Sequence, residues 1–268
     1  MLNLRLLMPA VHAPGDVVQC GHCQQAQDPD GEQQGPLDPR FHSLVCPQMQ
    51  GMRTKRHDAV VFIVHSFLRR LFGANQVTRE VSFASMDDGS HPQFHQLRFD
   101  LRLQLPAGHV LLDVTVVCPS CAKHVNNAAV AERRAILWDT VRQAKITKYR
   151  PALQALHLDP SALVPLVFEA NGKVEAKTAA FFQGLLQLPS ADRRAASAYG
   201  FTLQRIQSCI SLWAGRLRAR HHARRLTFAR RERFTRAGDP LPPEDDDDEV
   251  DSLEQEDFRD AYGRVVED

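Results

Sequence analysis

"RFDLRLQLPAGHVLLDVTVV", Arg98–Val117, decides how this chain folds. Pro106, Ala107, Gly108 and His109 mark a turn, and apolar residues recur at strand spacing on either side of it. Before the turn, Phe99, Leu101, Leu103 and Leu105 alternate with Asp100, Arg102 and Gln104. After it the run is almost wholly apolar, the pattern of a strand covered on both faces. Side chains alternate across a strand, so Leu111, Asp113, Thr115 and Val117 share one face and Leu112, Val114 and Val116 the other. An ionised carboxylate at Asp113 is costly there unless a cation or strong hydrogen bonds compensate it. If the two strands pair, Asp100 and Asp113, with twelve residues between them, converge at one edge. Two converging carboxylates make a hard oxygen site suited to Mg²⁺. A structural role for Asp113 stays open beside this one: capping the strand end, or pairing with an arginine such as Arg98.

Working outward, residues 57–72 carry apolar side chains at helical spacing and stop at Gly73. Residues 77–83 alternate as a strand. A long helix is expected over 126–149, with Asn126 or Asn127 as its N-cap and a stop near Pro151. Residues 163–172 read as a buried strand ending in an Asn-Gly turn, and 174–188 as another helix. Helix, three strands, helix, strand, helix is the order of a mixed α/β fold with a central sheet. On the long helix, Trp138, Val141, Lys145 and Lys148 fall on one stripe. The face that packs on the sheet therefore carries two lysines able to reach towards the carboxylates. Lysines near a helix C-terminus also serve simply as charges favoured by the helix dipole.

The chain has 268 residues and a formal net charge of +1, which hides a strong asymmetry. Nine arginines and one acid lie between Arg216 and Arg236, and thirteen acids against two arginines between Glu244 and Asp268. Four regions follow: residues 1–50 with a Cys/His group, a globular domain over 51–190, an Arg-rich helical arm over 191–237, and an acidic tail of disordered composition over 238–268. The six cysteines form no framework spanning the chain, which fits a reducing compartment. The opening "MLNLRLLMPAVHA" is short and broken by Arg5, so it does not read as a signal peptide. No apolar run approaches the roughly 20 residues of a membrane span. The expectation is a soluble protein, nuclear or cytoplasmic, not secreted and without a membrane partner.

Cys20, Cys23, His42 and Cys46 give the spacing C-x2-C-x18-H-x3-C. Four soft ligands in two close pairs suit a closed, tetrahedral, structural Zn²⁺ site. Cys118 and Cys121 read as packing or turn residues, with redox or metal ligation as the alternative, and Cys209 as a buried apolar residue on its helix.

Arg98-Phe99-Asp100, then twelve residues, then "DVTVVCP", a helix ending "KITKY" and a strand "PLVFEANG" resemble the restriction-like endonuclease domain that follows the reverse transcriptase in some non-LTR retrotransposons, within the PD-(D/E)XK nuclease superfamily. The resemblance extends upstream to "RHDAVVFIVHSFLRRL", similar to the family's Arg-His-(Asn/Asp) helix, and to a strand glutamate, here Glu80. It covers roughly residues 15–215 and implies a PD-(D/E)XK-like fold. Asp100 and Asp113 would be the metal-binding carboxylates, with Glu80 completing or supporting the site. The usual lysine two residues after the second acid is Thr115 here; in the retrotransposon branch the helix supplies it, which makes Lys145 and Lys148 the candidates. Phe99 stands where the family usually has proline. The family also carries a Cys-Cys-His-Cys knuckle just before the nuclease domain, matching Cys20, Cys23, His42 and Cys46.

The activity implied is Mg²⁺- or Mn²⁺-dependent phosphodiester hydrolysis that nicks target DNA to prime reverse transcription. DNA and an RNA template are the implied partners. Arg216, Arg218, Arg220, Arg224 and Arg225 open the basic arm, which either tracks phosphates or is a solvated helix. The acidic tail either shields that arm or is a solubilising end. The alternatives are a catalytically inactive remnant that binds nucleic acid through the knuckle and the arm, and a structural zinc-binding interaction protein.

Overall fold

The computed structural model describes residues 43, 44, 46, 49–119 and 130–237, with side chains over 135–224 in the last stretch. Strands β2 (Arg98–Leu105) and β3 (Gly108–Val117) form the expected antiparallel hairpin, in register from Leu101↔Leu112 to Leu105↔Gly108. Gly108 takes a φ of 131°, a conformation open to glycine and strained for other residues. Strand β1 (Val77–Ser82) joins the outer side of β2 antiparallel, and β4 (Leu163–Glu169) joins β3 in parallel. A parallel pair needs a long crossover, and helix α2 (Val130–Ala155) supplies it. The result is a four-stranded mixed sheet, order β1-β2-β3-β4, flanked by helices.

Helix α1 (Gln50–Phe72) packs against β1, β2 and β3 through Val60, Ile63, Val64, Phe67, Leu68 and Leu71. It begins seven residues before His57, where the apolar periodicity starts; burial of Met52 and Arg56 holds the added turns. Helix α2 runs through Pro151 to Ala155, although a proline removes one helical hydrogen bond. Just beyond it Ala152 and Leu153 are fully buried, and that packing keeps the last turn helical. Leu153 and Tyr149 close a core cluster with Phe99, Leu111 and Leu163.

Helix α3 (Ala176–Leu186) is capped by Glu175, whose carboxylate accepts from the Lys177 and Thr178 N–H groups. The short α4 (Arg193–Ser197) is capped by Asp192, whose own N–H bonds to the Leu71 carbonyl and ties the end of α1. Helix α5 is Tyr199–Ala237. By internal contacts the chain forms two units, Met1–Ala223 and Arg224–Asp268, and the described part of the second is helical. Within the first, Ile206, Cys209, Ile210, Trp213, Ala214, Leu217 and His221 make a buried stripe of the arginine-bearing helix. The Asn-Gly turn after β4 sits against this stretch. Gly172 has a φ of 90°, and a Cβ there would lie 3.0 Å from the Gln207 carbonyl oxygen, so glycine is required twice over. Among the described residues no helix is long and apolar enough to cross a membrane.

Candidate active site

Asp113 lies in β3 between Leu112 and Val114 and opposite Pro165 of β4, with its side chain 5 % exposed. Its burial is compensated from α2. The Lys145 ammonium stands 2.8 Å from Oδ2 and 3.2 Å from Oδ1. The Tyr149 hydroxyl, one turn further along α2, lies 3.1 Å from Oδ1 and 2.9 Å from the Arg98 carbonyl oxygen and shares its one hydrogen between them. Thr115, which shares the strand face, donates to Oδ2 at 3.2 Å. Burial, and then the fields of Asp113 and Asp100, push the Tyr149 phenol above its ordinary range, so it stays a protonated donor.

The β2–β3 ladder stops at Leu101↔Leu112, and the next positions in that register are Asp100 and Asp113. Asp100 turns its carboxylate onto the main chain of β3 instead of continuing the ladder. Its Oδ2 accepts from the Val114 N–H at 2.6 Å and from His57 Nε2 of α1 at 3.2 Å. His57 Nε2 also faces the Val114 carbonyl oxygen at 3.1 Å, while Nδ1 faces Asp58 at 3.1 Å. Each of these partners accepts, so the doubly protonated imidazolium fits them, its single Nε2 hydrogen shared between the Asp100 carboxylate and the Val114 carbonyl. Burial alone lowers the His57 pKa; the hydrogen bonds and charges of Asp100 and Asp58 outweigh it and hold it at about 9. Asp100 is thus held by a cation from α1 and Asp113 by a cation from α2.

Helix α2 is itself anchored next to Asp113. Arg142, one turn before Lys145, donates to the Pro165 carbonyl at 2.7 Å and pairs with the buried Glu175 carboxylate. Proline offers no N–H to a ladder, and β4 is an edge strand, where its carbonyl is free to take the arginine. Thr178 donates to the same Glu175 oxygen at 3.0 Å and accepts from the Val167 N–H at 2.8 Å. This buried network ties α2, β4 and α3 together and sets where Lys145 stands.

Phe99 is fully buried with its ring 5.0 Å from that of Tyr149. It fills the core cluster under the tyrosine that holds Asp113. Lys148 is exposed, with its ammonium over the Tyr149 ring at 4.9 Å. Glu80 falls at an irregular position of β1 with φ 53°, between the pairs Arg79↔Leu101 and Val81↔Phe99. Its carboxylate is 65 % exposed and paired with Arg79 at 3.2 Å. The fold therefore brings Lys145 onto Asp113, sets Asp100 against the main chain of the next β3 residue, Val114, and leaves Lys148 and Glu80 at the margin. His57, Tyr149 and Arg142 were given no role by the sequence. The signal for His57 lay in the "RHD" of its helix, and for the other two in their one-turn spacing from Lys145.

Cys20, Cys23 and His42 lie outside the described residues, as do Cys121, Asn126, Asn127 and the acidic tail; Cys46 is described and buried. Cys118 and Cys209 are buried as well. Arg216 lies over the Trp213 ring at 5.2 Å, and Arg218, Arg220 and Arg224 are partly exposed; nothing is described of the Arg225 side chain. A separate group, Asp87, Asp88 and His91, brings three possible ligand atoms within 4.8 Å of one another in the loop after β1. Hydrogen bonds inside that loop already account for the placing of Asp87. No family model matches the chain, and no curated protein matches its sequence.

Proposed function

We propose that this chain is a metal-dependent DNA endonuclease of the PD-(D/E)XK type, derived from a non-LTR retrotransposon and nicking target DNA for reverse transcription. The observation that carries the reading is the Lys145 ammonium on the buried Asp113 carboxylate, with the Asp100 carboxylate on the N–H of the residue that follows it.

The donor set fits a hard divalent cation. Among the described residues the hydrogen bonds to Asp100 fall on Oδ2, which leaves its Oδ1 as a candidate ligand, and Asp113 would add a carboxylate oxygen by giving up part of its hold on Lys145, Tyr149 or Thr115. Mg²⁺ or Mn²⁺ held by Asp100 and Asp113 would supply Lewis acidity, making water a better nucleophile near neutral pH and offsetting charge that develops on the phosphate. Lys145 orients the attacking water or stabilises the charge of the transition state. Tyr149 and Thr115 keep Asp113 in place, and the Arg142 network holds the helix that delivers the lysine. On this reading Glu80 supports the site from outside, Cys20, Cys23, His42 and Cys46 hold a structural Zn²⁺, and the arginines from Arg216 onward bind DNA or an RNA template.

One observation favours a second reading, a catalytically inactive remnant that binds nucleic acid through the knuckle and the arm. Both oxygens of Asp113 already receive donors, as a purely structural carboxylate's would. Nicking of supercoiled plasmid separates the two readings. Mg²⁺-dependent conversion to open circles, lost with chelator and in Asp113→Ala, supports the nuclease; equal activity of wild type and variant sinks it.

A further inference from the structure

Asp100 needs one oxygen held and the other offered if it is to serve a metal beside Asp113, and the side chain that can do this comes from a different helix than Lys145. His57 stands on α1, forty-three residues before Asp100, and its Nε2 addresses two acceptors at once: Asp100 Oδ2 at 3.2 Å and the Val114 carbonyl oxygen at 3.1 Å. The carbonyl can only accept, so Nε2 carries a hydrogen and donates. The Val114 N–H reaches the same Asp100 oxygen at 2.6 Å. Two donors thus fix Oδ2 against the main chain of the residue that follows Asp113, and neither of them engages Oδ1. Asp58 grips the other ring nitrogen at 3.1 Å and sets the plane of the imidazole.

We propose that His57 is a positioning residue for the divalent cation: it clamps Asp100 Oδ2 to β3 so that Oδ1 is presented beside Asp113. The inference rests on the reading of Asp100 and Asp113 as the metal-binding pair. Two effects of His57 oppose each other. As a cation beside a carboxylate it weakens the pull on a second cation, so removing its charge alone would tighten metal binding. As a clamp it saves the cost of ordering Asp100, so removing its hydrogen bond weakens binding; groups that orient a metal ligand contribute about 10- to 100-fold in affinity. With His57 and the Val114 N–H acting on the same oxygen, the clamp outweighs the charge.

The test is Mn²⁺ binding to the whole chain, followed by electron paramagnetic resonance and needing no DNA substrate. Wild type, His57→Ala, His57→Asn and His57→Gln are compared, with melting curves alongside. Glutamine keeps an amide donor at the reach of Nε2 without the charge, whereas asparagine is too short. The expectation is binding weakened about tenfold in His57→Ala and His57→Asn and kept within about twofold in His57→Gln. Binding equal to wild type in His57→Asn overturns the clamp, and so does tighter binding in His57→Gln and His57→Asn together, which would make His57 a charge and nothing more. If His57→Ala does not fold, the asparagine and glutamine variants carry the comparison. A wild-type chain that binds no Mn²⁺ overturns the metal-site reading itself, an outcome distinct from those failures.

Discussion

Lys145 meets Asp113 from the crossover helix, its Nζ 2.8 Å from Oδ2, while the neighbouring candidate Lys148 turns out over the ring of Tyr149. Two lysines three residues apart thus have different duties. Lys145→Ala is expected to slow nicking by about 10²-fold or more, the scale of losing one charge-stabilising donor in a site. Lys148→Ala is expected to stay within a few-fold. Single-turnover nicking rates decide this, and comparable losses would remove the distinction.

Tyr149 joins the site to the core. Its hydroxyl serves Asp113 and the Arg98 carbonyl, and its ring rests on Phe99. Tyr149→Phe keeps the ring and deletes the hydroxyl, so it should cost about 1–2 kcal/mol of stability in urea unfolding. Phe99→Pro, the residue the family favours, should cost more, because it empties the space under the ring; about 3–5 kcal/mol is the scale for removing a buried phenylalanine.

The clamp on α2 also contributes to stability. Arg142 and Glu175 are both nearly covered, and Glu175 also caps α3. Arg142→Leu leaves that carboxylate buried without its cation and should destabilise by about 3–5 kcal/mol. Replacing the exposed Lys177, which pairs with exposed Asp139, should change stability by less than about 1 kcal/mol. Urea unfolding of the two variants checks the contrast.

The loop after β1 has its own pH signature. Burial raises the Asp87 carboxyl, but hydrogen bonds from His91 and His95 outweigh it and hold the pKa at about 2, against the ordinary 3.8. A carboxyl depressed in this way contributes stability that is present above about pH 3.8 and lost as the pH falls through about 2. The stability difference between wild type and Asp87→Asn should therefore shrink over that window. A difference that stays constant down to pH 2 would contradict the assignment.

Much of the fold was legible because periodicity is local. Alternation in Phe99–Leu105, the apolar run around Asp113 and the helical spacing of Val60 to Leu71 each lie within one element, and each element formed. What stayed hidden depends on contacts between elements. His57 is forty-three residues from Asp100, and no spacing rule joins them. Lys145 and Lys148 lie on nearly the same stripe, so only the register of α2 against β3, set by Arg142 on Pro165, separates them. Glu80 read as a strand residue, yet a left-handed backbone at that position, which glutamate does not favour, turns its carboxylate towards Arg79 and solvent. Pro151 announced a helix end that the burial of Ala152 and Leu153 overrode.

The central claim is that Asp113 belongs to a phosphodiester-cleaving metal site. Its most direct test is conversion of supercoiled plasmid to open circles in Mg²⁺ by wild type and by Asp113→Asn, which keeps the shape of the side chain and removes its charge. Nicking by wild type and at least a 10²-fold lower rate in the variant are expected, with both proteins folded. A variant that nicks as fast as wild type would contradict it.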